Sequence, residues 1–334
     1  MQPRLNFFCE LDTPRLKELI NDGLTISLLK RLNAGISLAT RDFTADRAEL
    51  VKQLIDDDIP VTCWLVLPEE SGYWSNAGNS IETITQYESF KSWSVKYGLR
   101  FQAVGLDIEP DIRIFQKGLK NSWSILVEGT KQLLKFNRFS KARVAYRQLV
   151  HQIKSDGFIL ETYQLPIVVD ERLAKSRLTQ RFLGLLDLNS DREVLLLYSS
   201  FSRSLGAGLV WSYGKECRLL ALGKLGEGRD INESIELINW NELERDLRLA
   251  YRWVNDIYIY SLEGCVYQNV MEEFTKFDWD GIILEPTLPA IKIERWRLGF
   301  QFILWLLTYI PILFLVGIGM MILIYSKSYK RHIS

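Results

Sequence analysis

Apolar residues fall along this chain in short buried-looking runs separated by longer amphipathic stretches, and the alternation recurs eight times. A two-residue apolar period marks a strand and a 3.6-residue period marks a helix. The pattern predicts strands over Leu5–Asp12, Gly35–Thr40, Pro60–Leu67, Phe101–Glu109, Phe158–Leu165, Glu193–Phe201, Cys217–Gly223 and Asp256–Leu262. Between them it predicts a helix opening at Thr13-Pro14, one over Thr44–Ile55 capped by Thr44, and one over Ile81–Tyr97. A long helical region over Ile112–Lys154 breaks near Asn121 and Asn137, and further helices cover Asn241–Val254 and Val266–Phe277. Gly281–Glu285 is one more strand candidate. Alternating strands and helices imply parallel β/α units. Eight of them imply an α/β fold, a (β/α)8 TIM barrel; an open doubly wound sheet, which has fewer strands, is the alternative.

The pattern changes after the barrel. Leu298–Tyr325 is nearly all apolar and carries no charge. As a helix it would reach about 40 Å, enough to cross a bilayer with tilt. Trp296 and Tyr325 stand near its ends, where aromatic anchors sit. The chain therefore divides into a barrel domain over 1–290, a juxtamembrane linker over 291–297, a transmembrane helix over 298–325 and a basic tail over 326–334. The lipid bilayer is an expected partner, through a single-pass C-terminal anchor. Lys292, Arg295 and Arg297 before the run balance Lys327, Lys330 and Arg331 after it, so the positive-inside comparison leaves the side of the barrel open. No secretory leader is legible at Met1–Asp12, which favours a cytosolic barrel; the sequon Asn232-Glu233-Ser234 matters only for the opposite side.

Composition narrows the chemistry by exclusion. Lys plus Arg and Asp plus Glu are both 41, which argues against a broad nucleic-acid surface, so no nucleic acid is expected as a partner. The four cysteines are widely spaced without a C-x-x-C, and read as buried free thiols. Only His151 and His332 are present, which disfavours a histidine metal site or a Ser-His-Asp hydrolase. No nucleotide-binding or nucleophile-elbow motif occurs, and no cofactor or metal is expected.

In a barrel the strand C-termini converge on one mouth. The strand ends offer Glu10 and Asp12, Arg41 and Asp42, Glu69 and Glu70 with Tyr73 and Trp74, then Asp107 and Glu109. Glu161, Tyr163 and Gln164 follow, then Tyr198 and Ser199, Lys224, and Tyr260 with Glu263. Glu10, Asp12, Arg41 and Asp42 read as a structural ion-pair group, and Lys224 with Gly223, Gly226 and Gly228 as a glycine loop or a phosphate site. Acids and aromatics without histidine suit glycoside hydrolysis, in which one protonated acid serves the leaving oxygen and a second stays ionised. Asp107 and Glu109, two apart on one strand, share a face, and each resists ionisation of the other. The remaining readings are a capped strand end, a non-catalytic carbohydrate-binding barrel, and a metal-dependent phosphoester or lipid-headgroup hydrolase.

Gly105-Leu106-Asp107-Ile108-Glu109 resembles the fourth-strand end of the chitinase-like family 18 glycoside hydrolases and related lysozyme-type barrels, whose pattern is D-x-x-D-x-D-x-E. The last Asp and the Glu are kept; Gln102 and Gly105 replace the earlier acids. The resemblance implies that Glu109 is the proton donor and that Asp107 orients an N-acetyl group of the substrate. Thr162-Tyr163-Gln164 is similar to the family's M-x-Y-D strand end, with Gln in place of Asp. The expectation is a membrane-anchored, glycan-acting barrel with Glu109 as general acid, Asp107 as its partner, and Glu263 and Tyr163 in support. Tyr73, Trp74, Glu10, Arg41, Gln164, Tyr198 and Tyr260 are the expected saccharide-binding residues.

Overall fold

A computed structural model describes residues 2–223 and 237–331. Lys224, Gly226, Gly228, the sequon at Asn232 and His332 lie outside the described residues. Eight parallel strands close into one barrel in chain order: β1 (Arg4–Cys9), β2 (Gly35–Thr40), β3 (Val61–Leu65), β4 (Ala103–Ile108), β5 (Ile159–Gln164), β6 (Arg192–Leu196), β7 (Leu219–Leu222) and β8 (Asp256–Tyr260). β8 pairs with β1 from Arg4 against Asp256 to Phe8 against Tyr260, which closes the ring.

The helices are α1 (Thr13–Asn21), α2 (Leu24–Arg31), α3 (Ala45–Asp56), α4 (Ser80–Tyr97), α5 (Ile112–Lys120), α6 (Ser122–Leu134) and α7 (Phe136–Ser155). They continue as α8 (Ile167–Leu173), α9 (Leu178–Leu183), α10 (Arg203–Gly214), α11 (Trp240–Tyr251), α12 (Leu262–Tyr267), α13 (Met271–Lys276) and α14 (Thr287–Arg331). Several boundaries have local causes. The Asp12 carboxylate accepts from Arg15 N and Pro14 occupies the first turn of α1; the Thr44 hydroxyl accepts from Arg47 N at α3. Asn121 caps α6, which separates it from α5 at the predicted break.

Strand alternation sorts the side chains into two cores. Leu5, Phe7, Cys9, Leu38, Cys63, Val104, Leu106, Leu195 and Ile257 pack outward against the helices. Phe8, Ala39, Trp64, Tyr163, Val194, Leu196, Ala221 and Tyr258 fill the interior. Gly105 belongs to the inward set, and a Cβ there would run into the Tyr163 ring and hydroxyl. The missing side chain at Gly105 is therefore what lets Tyr163 cross the barrel axis. Below it, the Tyr163 hydroxyl lies within hydrogen-bonding distance of Ser37 Oγ at 3.1 Å and of Glu161 at 3.2 Å, and Glu161 pairs with Arg192 at 3.0 Å. These groups form a polar and aromatic floor, so the barrel is filled rather than hollow.

Three expectations are corrected. Gly281–Glu285 forms no strand; it follows the last barrel helix, where no sheet edge remains open. The predicted helix over Val266–Phe277 is two short helices, α12 and α13, divided at Asn269 in the left-handed region (φ 56°). Residues 291–297 are not a linker but part of α14, whose stripe of Ala290, Ile293, Arg297 and Leu304 is buried on the barrel. Arg297 Nε donates to Asp170 Oδ1 at 2.9 Å, and Arg297 Nη1 donates to Ser212 O at 2.7 Å. Arg297 Nη2 also reaches Glu216 at 2.8 Å.

Gly208 of α10 has no room for a Cβ against Pro289 and Ala290, while Ser212 and Glu216 meet Arg297. α14 thus runs in the same sense as α10, away from the strand C-termini. It next meets Asp170 of α8 through Gln301, at 2.7 Å, and Ser176 through Thr308, at 2.9 Å. Among the described residues no helix is long and apolar enough to cross a membrane. Much of the 298–325 run falls outside that description, since the side chains at 311–313, 315–317, 319 and 322–331 are not among the described residues.

Candidate active site

The mouth formed by the strand C-termini holds a cavity of about 250 Å³. That is just under the ~300–1,000 Å³ of most small-molecule sites, a size suited to one ring-sized group. Its acids are Glu10, Asp107 and Glu109, and its aromatics are Phe8, Trp64, Trp74, Phe115, Tyr198, Phe201 and Tyr260. No Lys, Arg or His is among its lining residues.

Asp107 is the last inward residue of β4 and is 4 % exposed; Glu109 follows two residues on, half-buried at the rim. The two carboxyls are hydrogen-bonded to each other. Burial, then the charges of Glu109 and Glu10, hold the Asp107 carboxyl well above the ordinary carboxylate range. Burial also pushes Glu109 up to about 7; the bond from Asp107 opposes the rise and the Glu10 charge adds to it. Asp107 is thus the proton donor within the pair and Glu109 the member poised near neutrality. Asp107 Oδ1 is buried without a hydrogen-bond partner.

Glu10 sits across the mouth at the end of β1. Its Oε1 accepts from the Tyr73 hydroxyl and its Oε2 from the Tyr260 hydroxyl. Behind it, Glu263 Oε1 accepts from Glu10 N at 3.2 Å. Glu263 lies in the first turn of α12, fully buried, and burial raises it to about 7. Its Oε2 has no partner, and the residue does not line the cavity.

The segment between β3 and α4 is pinned to the barrel. Asn79 Nδ2 donates to Trp74 O at 2.8 Å and Ser75 N donates to Asp107 O at 2.8 Å. Tyr73 sits in the left-handed region at φ 62°, a strained backbone for a bulky residue, where its hydroxyl reaches Glu10. Trp74 is held edge-on to Tyr73 and Phe115, with centroids 5.6 and 6.3 Å apart.

Of the residues expected to bind saccharide, Glu10, Trp74, Tyr198 and Tyr260 line the cavity with Asp107 and Glu109. Tyr73 supports it from behind. Arg41 Nη2 donates to the Glu10 main-chain oxygen at 3.2 Å, a backbone contact rather than the expected ion pair. Asp12 caps α1, and Asp42 accepts from Thr44 at 2.8 Å. Tyr163 lies beneath the cavity, in the floor. Gln164, one residue on, falls on the opposite face of β5, away from the cavity, because alternate side chains point to opposite sides. Ser199 is turned to Asp246 in a buried hydrogen bond. Phe8, Trp64, Leu196 and Phe115 were not anticipated; the strand period would have placed Phe8 and Trp64 with Glu10 and Val66 on the inward face. Among the described residues no cluster of three or more His, Cys, Asp or Glu is arranged to hold a metal ion.

No protein-family model and no curated protein matches the chain. Among solved structures it is similar to the glycoside hydrolase domain of PgaB (BpsB) from Bordetella bronchiseptica, with 9 % identity and a TM-score of 0.50 over 82 % of this chain and 98 % of that one. It is also similar to Saccharomyces cerevisiae Gas2p in complex with laminaripentaose, with 13 % identity and a TM-score of 0.44 over 85 % and 67 % of the two chains. A D-psicose 3-epimerase structure with D-fructose aligns over 91 % and 99 %, with 12 % identity and a TM-score of 0.37. At such identities likeness speaks to fold alone, and the fold is a closed eight-stranded α/β TIM barrel.

Proposed function

We propose that this barrel acts on a glycan, as a glycoside hydrolase with Glu109 as general acid. The observation that carries the reading is the hydrogen-bonded Asp107–Glu109 pair facing an aromatic cavity at the strand C-termini, with Glu109 near 7. The barrel it shares with the PgaB glycoside hydrolase domain is consistent with it. Protonated Glu109 gives its proton to the glycosidic oxygen as the bond to the anomeric carbon breaks. Positive charge then builds on the ring, facing the Glu10 and Asp107 carboxyls. In the family 18-like version, Asp107 orients an N-acetyl oxygen of the substrate as the internal nucleophile. Water then attacks the anomeric carbon and returns its proton to Glu109. With acids and no base lining the cavity, a neutral or amino sugar fits better than an acidic one.

The test is the full chain in detergent, assayed on chitin oligomers, peptidoglycan and β-glucans. Turnover that is lost in Glu109→Gln supports the assignment; a turnover unchanged by that substitution removes Glu109 as the acid. A second reading, glycan binding without cleavage, draws on Gly105: an acid of the family pattern is replaced there by a residue that makes room for Tyr163. Saturable glycan binding with no product from the wild type would favour it.

The C-terminal assignment stays part of the proposal: the uncharged run 298–325 carries a single bilayer-crossing helix whose first turns, to Thr308, pack on the barrel, and 326–334 form a basic tail. In support, the run is free of charge, α14 is continuous through it, and Phe302, Leu307, Ile310, Phe314 and Met320 are exposed. Retention of the full chain in the membrane fraction through alkaline carbonate washing is the expected result.

A further inference from the structure

Among the described residues, the last hydrogen bond from α14 to the barrel joins Thr308 to Ser176. From Tyr309 to Tyr325 the uncharged run still has roughly 17 residues, about 25 Å of helix against a hydrocarbon core of about 30 Å. The α14 helix is thus tied to the barrel at least as far as the level of Ser176.

The surface at that level is basic. Ser176 is flanked by Lys175 and Arg177, both exposed, in the turn between α8 and α9. Arg177 and Arg147 lie close enough to Arg143 to depress its guanidinium, after the larger effect of its own burial. Arg143 and Arg147 belong to α7, which contains no Asp or Glu over its whole length. The acid that faces Arg143 is Asp187, which shares the Arg172 guanidinium with Glu193. Beside the arginines, Leu173 and Val144 are exposed apolar side chains. Four like charges faced by one shared acid repel one another, and an anion relieves that cost.

We propose that Lys175, Arg177, Arg143 and Arg147 form a docking site for anionic phospholipid headgroups, set beside the Thr308–Ser176 contact of α14 with the barrel. The proposal rests on the membrane-anchor reading of α14, and it adds a second, electrostatic contact to that anchor. A basic patch at headgroup level discriminates by lipid charge, which an apolar helix does not.

The experiment uses the full chain carrying Leu173→Cys, labelled with an environment-sensitive fluorophore and reconstituted into phosphatidylcholine vesicles with or without about one-third phosphatidylglycerol. The other cysteines are buried or half-buried. The expected result is flotation with both vesicles and a blue-shifted, headgroup-quenched emission with phosphatidylglycerol only. Arg147→Glu with Arg177→Glu should abolish the shift, keep flotation and keep the far-ultraviolet circular dichroism. Each basic residue removed should weaken the lipid-charge preference about fivefold. Flotation with both vesicles but identical emission overturns the headgroup site and leaves the anchor standing. Flotation only with phosphatidylglycerol, lost in the charge-reversed chain, supports the headgroup site and overturns the anchor. No flotation with either vesicle overturns both.

Discussion

Arg297 Nε lies 2.9 Å from Asp170 Oδ1, and both side chains are almost wholly buried between the barrel and its last helix. Arg297 stands one residue before the uncharged run, so the segment that looks like a tether is part of the folded domain. Deleting the arginine leaves Asp170 as a buried, uncompensated charge. Arg297→Ala is expected to lower stability by about 3–5 kcal/mol, read by thermal or urea unfolding. A chain cut after residue 290 should lose the same stability, whereas one cut after 309 should keep it. Equal melting temperatures for the two truncations would contradict this.

Glu109 must hold its proton to act as an acid, so activity is expected to be full below its value of about 7 and to decline as pH rises through it. Glu109→Gln should reduce kcat by about 10²–10⁴-fold and erase that alkaline limb. Asp107→Asn, which puts a neutral hydrogen-bond donor where protonated Asp107 stands, should leave the limb near 7. A pH–rate profile of the three chains is the measurement.

Glu263 supplies a stability test independent of turnover. Its carboxyl titrates at about 7 in the folded chain against 4.5 for an unperturbed glutamate. The folded chain therefore keeps a proton that the unfolded chain gives up, so stability is highest below the lower value. It declines as pH rises between the two and is level again above about 7. The Glu263 contribution to that decline is about 3 kcal/mol, and Glu263→Gln should remove it, giving a flatter stability curve by urea unfolding.

Gly105 and Tyr163 form a coupled pair. Gly105→Ala places a methyl group against the Tyr163 hydroxyl and should cost about 1–3 kcal/mol. Tyr163→Phe should cost less by itself and should recover part of the Gly105→Ala loss in the double variant, since it takes away the clashing oxygen. Additive losses would show that the two side chains do not compete for one space.

The strands were legible because parallel barrel strands are buried on both faces and stand out as apolar runs between turn residues. Even short ones such as Gly35–Thr40 and Leu219–Leu222 were marked this way. α8, α9 and α10 left weaker traces: α8 and α9 are too short for a helical period, and α10 is apolar nearly all round. At the site, Asp107 and Glu109 announced themselves by position at a strand end. The grip of Tyr73 and Tyr260 on Glu10 joins residues 63 and 250 positions apart, and no local pattern encodes it. Gln164 was misplaced for the opposite reason: a strand end names two candidate neighbours, and only the ring's closure decides which one looks inward.

The floor built by Tyr163, Glu161 and Arg192 has a kinetic corollary. It closes the chamber from below, so a ligand enters and leaves on the side of the strand C-termini. On the proposed hydrolase reading, a fragment released at Glu109 would leave by the side from which the next molecule arrives. The fragment and the incoming molecule would then compete for one vestibule, and accumulated product should slow turnover in a way that more substrate reverses.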